Sequence, residues 1–252
     1  TGFFLEIHGN RRLMPPRSFP GRAEEIVDRL LRSGDPTMTD VAPLRDELLA
    51  RVRAGPADYR ALADALLGTV ARAAGKPRWG EKTPFHVLYV DNILALFPEA
   101  RIVRLRRESR NVVASYLRSP LLPDDLPTAL AQVRLCLRAG QRAVDRGQAL
   151  DVAYEALVER PEAVLREVAD YIVEYFEEAM IRPGMRDSSF GSGELMRREE
   201  GLGIVRDPGE ADKWRKVFSE EEGRTVRAVV DGVAGPVPAG LRLRVARATA
   251  RQ

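Results

Sequence analysis

Apolar side chains recur at helical spacing through most of this chain. In residues 22–33, Ile26, Leu30 and Leu31 fall on one side and predict a helix, which Gly34-Asp35-Pro36 breaks. Residues 42–53 and 57–74 read as two further helices, parted by Gly55-Pro56. Leu62, Leu66, Thr69 and Val70 give the second an inner face, and Gly75 stops it. Val87, Val90, Leu94 and Phe97 carry the same period across 86–97. The pattern then changes. Arg101-Ile-Val-Arg-Leu-Arg106 is a short strand whose imperfect alternation suits a central parallel strand. Ser109 is the expected N-cap of a helix over 110–118. A loop runs from Pro120 to Pro127, then a long helix over 128–147. Leu150 to Tyr154 is a second strand, and Pro161 opens a helix over 161–177, at a position where proline is favoured. Helices near 219–231 and 238–250 complete the tail.

Strands that alternate with helices predict an α/β fold with a parallel sheet and helices on both faces. The strands are too few for a full doubly wound sheet, and the missing ones are expected upstream of Thr1. Residues 1–20, with Pro15, Pro16 and Pro20, read as strand or loop. Residues 181–212 are rich in Gly, Ser, Arg and Glu without periodicity, and read as a long functional loop or lid. The chain shows no internal repeat and reads as one domain over 1–252.

Composition narrows the function. Apolar residues make up 44% and charged residues 31% of 252 residues, which is enough for a core. A net charge of +3 without a dense basic stripe argues against a nucleic-acid binder and leaves room for a small anionic ligand. Lysine occurs only at 76, 82, 213 and 216, against 36 arginines. A GC-rich coding genome accounts for that ratio. A lysine that survives it marks a place where a compact ammonium serves better than a planar fork. Cys136 is the sole cysteine, so no intrachain disulfide forms, which fits a reducing, cytoplasmic setting. The isolated His8 and His86 do not make a metal site, and no apolar run is long enough to span a membrane.

Four segments carry candidate chemistry. Arg107, placed after a strand, offers a fork to phosphate oxygens, and Ser115 a hydroxyl from the next helix. Their alternative is a solvated helix face. Lys82 sits in the non-helical Trp79-Gly80-Glu81-Lys82-Thr83-Pro84, where a buried ammonium would neutralise a leaving phosphate, or else an ordinary surface loop carries it. Tyr154 ends a strand and contacts a base or sugar, or else packs in the core. In Asp212-Lys213-Trp214-Arg215-Lys216 the cations bind phosphate and the indole stacks on a purine, or else a half-buried Trp opens a helix. His8 and His86 are bases by residue type alone and more readily structural. There is no Ser–His–Asp arrangement and no dinucleotide-binding glycine fingerprint.

Taken in order, these segments resemble sulfotransferases that use 3′-phosphoadenosine-5′-phosphosulfate (PAPS), above all the branch holding bacterial small-molecule and tyrosylprotein sulfotransferases. The likeness spans roughly residues 76–220. Phe97 through Ser115 is similar to the strand–loop–helix that binds the 3′-phosphate, which makes Arg107 and Ser115 its ligands. Trp-Gly-Glu-Lys-Thr-Pro is similar to the segment whose lysine faces the sulfuryl group, which gives Lys82 the catalytic role. Tyr154-Glu-Ala-Leu resembles the segment whose tyrosine lies by the adenosine, and Asp-Lys-Trp-Arg the one whose lysine, here Lys213, closes over the nucleotide. Ser109 stands where the family often has Pro. The family's first strand and its Pro-Arg-Ser-Gly-Thr-Thr type phosphosulfate loop do not occur in this chain, and Thr1-Gly-Phe-Phe resembles the stretch just after that loop and its helix. The counterpart of the tyrosylprotein enzymes' general base would also lie upstream, so no base is assigned.

The resemblance implies an α/β, P-loop-NTPase-like three-layer fold and in-line transfer of a sulfuryl group from PAPS to a hydroxyl, releasing 3′-phosphoadenosine 5′-phosphate (PAP), with no metal. The acceptor is expected to be a small molecule such as a bacterial secondary metabolite, bound by the helical region 22–74 and the lid 181–212. Nucleic acid and membrane are not expected partners; a homodimer is compatible with the sequence. Two rivals stand beside this reading: a nucleotide kinase of related fold, and a non-catalytic nucleotide-binding or scaffold protein.

Overall fold

The computed structural model of the chain describes residues 19–32, 42–119, 122, 125–181 and 208–232. The Pro-rich start with His8, the helix expected at 238–250, and 182–207 of the expected lid lie outside them. The described residues fall into two units that divide between Ala100 and Arg101.

The first unit is helical. Its α1 (Phe19–Leu31), α3 (Tyr59–Ala73) and α4 (Val90–Leu96) follow the predicted apolar stripes, and α2 (Arg45–Ala54) falls on the helix expected over 42–53. Ala23, Ile26, Val27 and Leu30 of α1 are buried with Leu48, Leu49 and Val52 of α2 and Leu62, Leu66 and Leu67 of α3. This i, i+3, i+4 spacing puts a helix's apolar side chains on one face, and their removal from water is the main force holding the unit. At the rim, Arg45 grips both carboxylate oxygens of Asp28, at 2.7 and 3.0 Å, and so ties α2 to α1. Asp58 caps α3 by accepting from the Ala61 amide, and Gly75, at φ +64°, ends it in the left-handed conformation that glycine adopts freely. The helix expected over 86–97 is really two pieces. Pro84–Tyr89 winds as a tighter 3₁₀ turn before α4, because Pro84 starts the helix early and supplies no N–H.

The second unit holds the sheet. Strands β1 (Ile102–Arg106) and β2 (Ala149–Ala153) pair in parallel, Val103 opposite Leu150 and Leu105 opposite Val152. Parallel strands need a crossover, which α5 (Ser109–Arg118) and α6 (Leu126–Asp145) supply. After β2 come α7 (Tyr154–Glu159), α8 (Pro161–Ile172), a 3₁₀ segment Pro208–Lys216 and α9 (Glu220–Val230). Asp125 caps α6 two residues earlier than expected, so Pro127 lies in its first turn rather than in a loop. The helix opened by Pro161 stops at Ile172, where Val173 turns left-handed at φ +60°, short of the expected 177. Ser219 and Glu222 form a reciprocal capping box that starts α9, the helix expected near 219–231. The burial expected of a central strand is not met on one face of β1: Val103 is 38% and Leu105 57% exposed.

The core of this unit gathers on Trp214, whose indole is completely buried. It lies against Gly223 of α9, where an added Cβ would stand 2.3 Å from the indole Cζ3. Only glycine lets helix and ring approach this closely.

Candidate functional site

The second unit contains four of the five residues singled out from the sequence. Arg107 leaves the carboxyl end of β1, and its guanidinium lies 4.6 Å from the ring centroid of Tyr154, which comes directly after β2. Tyr154 is the first residue of α7 rather than a strand residue. Adjacent parallel strands thus deliver an arginine and a tyrosine to one end of the sheet, the end where α/β folds bind ligands. The two loops are pinned together: the Glu108 amide donates to Glu155 Oε1 at 2.9 Å.

The start of α5 differs from expectation. Glu108, not Ser109, is the cap, accepting from the Asn111 amide at 3.1 Å, while Ser109 is buried in the first turn. A carboxylate accepts this bond as well as a hydroxyl does and also meets the positive end of the helix dipole. The same carboxylate holds Arg110, with Nε to Oε1 at 2.6 Å, and Arg110 lies over the Trp214 ring at 4.1 Å. Ser115 is exposed two turns into α5.

Lys213 comes from the late 3₁₀ segment and is half-buried. Its neighbour Trp214 is not placed to stack on a purine. The ring is inside, flanked by Arg110 and, at 4.6 Å, by Arg215. The Trp214 amide donates to Asn111 Oδ1 at 3.0 Å, joining residues 103 positions apart. Sequence reasoning misses Asn111. Its signal is an amide on the inward stripe of α5, in line with Ala114 and Leu117, where a polar side chain needs a partner.

Lys82 belongs to the first unit and is exposed, where the sequence left a buried ammonium and a surface loop open. Its segment is nonetheless well held. Trp79 meets Phe97 edge-on at 5.5 Å, and Arg60 covers Phe97 at 4.8 Å while donating to the Leu96 carbonyl at 2.8 Å. The residue before the lysine points inward. The Glu81 side chain is 6% exposed, its Oε2 lies 2.6 Å from His86 Nδ1, and its Oε1 accepts from the Thr83 hydroxyl at 2.8 Å. His86 is thereby held in a buried pair with Glu81. Burial pushes the Glu81 carboxyl up, but the hydrogen bonds to it, that of His86 foremost, outweigh burial and hold the group below the ordinary carboxylate range.

A depressed folded pKa stabilises the fold above the ordinary value of 4.5, and this contribution is lost as pH falls below it. Glu81→Ala is expected to cost about 1–3 kcal/mol at neutral pH, the penalty for stranding buried partners, and to shallow the loss of stability in acid. Urea denaturation across the acid range reads both. An acid limb identical to the wild type would show that Glu81 contributes nothing there.

Among the described residues no cluster of His, Cys, Asp and Glu could hold a metal ion, and no helix is long and apolar enough to cross a membrane. The comparisons with known proteins agree with one another. The chain is 28% identical over 200 residues to the nodulation protein NoeE of Sinorhizobium fredii (strain NBRC 101917 / NGR234), a match that covers 68% of this chain and 46% of that protein. The chain thus spans about half the length of this curated relative. Its fold matches that of the sulfotransferase domain from the Synechococcus PCC 7002 olefin synthase, with a TM-score of 0.55 and 23% identity over 83% of this chain and 76% of that one. This confirms the expected α/β class. A model of the sulfotransferase family matches residues 22–178, a span that includes Lys82, Arg107, Ser115 and Tyr154 and stops short of Lys213. On that match, which covers more than half of its length, the chain belongs to the sulfotransferase family.

Proposed function

We infer that the protein transfers a sulfuryl group from PAPS to the hydroxyl of a small acceptor. The observation that carries this reading is the placement of Arg107 over Tyr154 at the carboxyl end of two parallel strands, with exposed Ser115 on the next helix. A guanidinium and a hydroxyl suit a phosphate, and the aromatic ring beside them suits an adenosine. A ligand that carries both is an adenosine 3′-phosphate. Lys213, on the segment fastened to α5, supplies a further cation. In the reaction the acceptor oxygen bonds to sulfur as the bond from sulfur to the 5′-phosphate oxygen breaks; PAP leaves, and the acceptor's proton passes to a base. Such transfers depend on positioning and on neutralising the charge that builds on the leaving oxygen, the part assigned to Lys82.

Calorimetric titration with PAP, and with ATP as control, tests the reading. Arg107→Ala is expected to weaken PAP binding about 10- to 150-fold, the worth of a hydrogen bond to a charged group. ATP is expected to bind weakly, and the substitution to leave it unchanged, because ATP lacks the 3′-phosphate. ATP binding as tight as PAP, or PAP affinity indifferent to the substitution, would overturn the assignment and favour a kinase.

A further inference from the structure

We propose that Asn111 is a positioning residue for the nucleotide site: it fixes Lys213 relative to the helix that carries Ser115. The inference rests on the proposed function and deepens it. Lys213 reaches the site from a segment remote in sequence, so something must set its register against α5. The structure offers a chain of contacts that does so. Glu108, next to Arg107, caps α5 and holds Arg110 at 2.6 Å. Arg110 lies on one face of Trp214 at 4.1 Å, and Gly223 abuts the ring's edge. These contacts act on the indole, and the Val217 and Phe218 amides hold the Trp214 carbonyl, but none of them ties the backbone of the segment to α5. The Asn111 bond supplies that tie, because it accepts from the backbone amide of the residue next to Lys213.

The burial of Asn111 supports this role. The residue is 3% exposed, on a buried face that it shares with Ser109, Val113, Ala114, Tyr116 and Leu117. An apolar residue there would pack without the desolvation that a buried amide carries, so packing alone does not account for asparagine. What the amide adds is one directional acceptor in one place.

A double-mutant cycle on the full chain, with PAP as the titrant, tests the proposal. Asn111→Ala is expected to weaken PAP binding about tenfold, a value within the range of coupling between residues of one network. In a Lys213→Ala background the same substitution is expected to add almost nothing, because its effect is carried by the lysine. Asn111→Asp keeps an acceptor at the same atom but buries a charge near Glu108, and is expected to restore affinity only in part, above Asn111→Ala and below wild type. Where Asn111→Ala does not yield folded protein, Asn111→Ser, whose hydroxyl falls short of the amide, takes its place in the cycle. Thermal melts accompany each variant, so lost affinity is compared only among folded proteins. Two results overturn the proposal: PAP affinity unchanged in Asn111→Ala, or losses that multiply in the double variant, the mark of a merely structural residue. A wild-type chain that binds no PAP would instead overturn the proposed function and this inference with it. Wild-type binding that falls in Lys213→Ala but not in Asn111→Ala sinks the inference alone.

Discussion

Lys82→Ala is expected to reduce turnover of PAPS about 10²- to 10³-fold, the usual loss when one preorganised contact to developing charge is removed. The segment that carries this lysine is anchored on both sides, by Trp79 against Phe97 and by Glu81 against His86 and Thr83, while the ammonium itself is exposed. Removing an exposed side chain changes stability by less than about 0.5 kcal/mol, so the melting temperature should hold. The loss should fall on kcat, with KM for PAPS nearly constant, because the lysine is needed most as charge builds on the leaving phosphate oxygen. Lys82→Arg should rescue little: a planar fork does not replace a point charge, and this chain uses 36 arginines where a fork suffices. PAP release in the presence of a panel of small alcohols and phenols measures the effect. Activity above about a tenth of wild type in Lys82→Ala would remove the lysine from the chemistry, since the contact would then be worth less than about 1.4 kcal/mol.

Trp214→Ala is expected to be the most destabilising single change in the second unit. Truncating a buried Trp typically costs about 3–5 kcal/mol, a large part of the roughly 5–15 kcal/mol that holds a domain folded. Here the loss includes two guanidinium–ring contacts and the filling of the space over Gly223. The melting temperature should fall by about 6–20 °C. The sign of a second substitution makes the test sharper. In the wild type, Gly223→Ala gains about 1 kcal/mol of helix propensity but drives a methyl group into the indole, and overpacking of that kind costs about 1–3 kcal/mol. In the Trp214→Ala background the clash is gone and the same alanine should stabilise. Denaturant titration of the four proteins reads the reversal. Destabilisation by Gly223→Ala in both backgrounds would show that ring and helix are not coupled.

Local pattern is enough for much of this molecule. The stripes of α1 and α3, the glycine stop at 75 and the proline start of α8 each depend on residues a few positions apart, and the sequence places them closely. The two strands and the placing of Arg107 after the first are legible because a switch of period marks them. Less legible are the features that depend on which side chains meet in the fold. Ser109 is a plausible cap by type, yet Glu108 takes the position through bonds that reach Asn111 and Arg110. Trp214 looks half-buried from sequence because nothing near it there reveals Gly223 or Asn111. The sequence leaves Lys82 between a buried ammonium and a surface loop, and the inward position belongs to its neighbour Glu81, for which His86 and Thr83 supply partners.

The chain has two tryptophans, and they fall one to each unit: Trp79 beside Phe97 and Trp214 sealed beside Gly223. Each unit therefore carries its own optical reporter. With either indole changed to phenylalanine, the emission of the other tracks the melting of its own unit. Coincident transitions would mean one cooperative block, and separate ones would give each half a stability of its own.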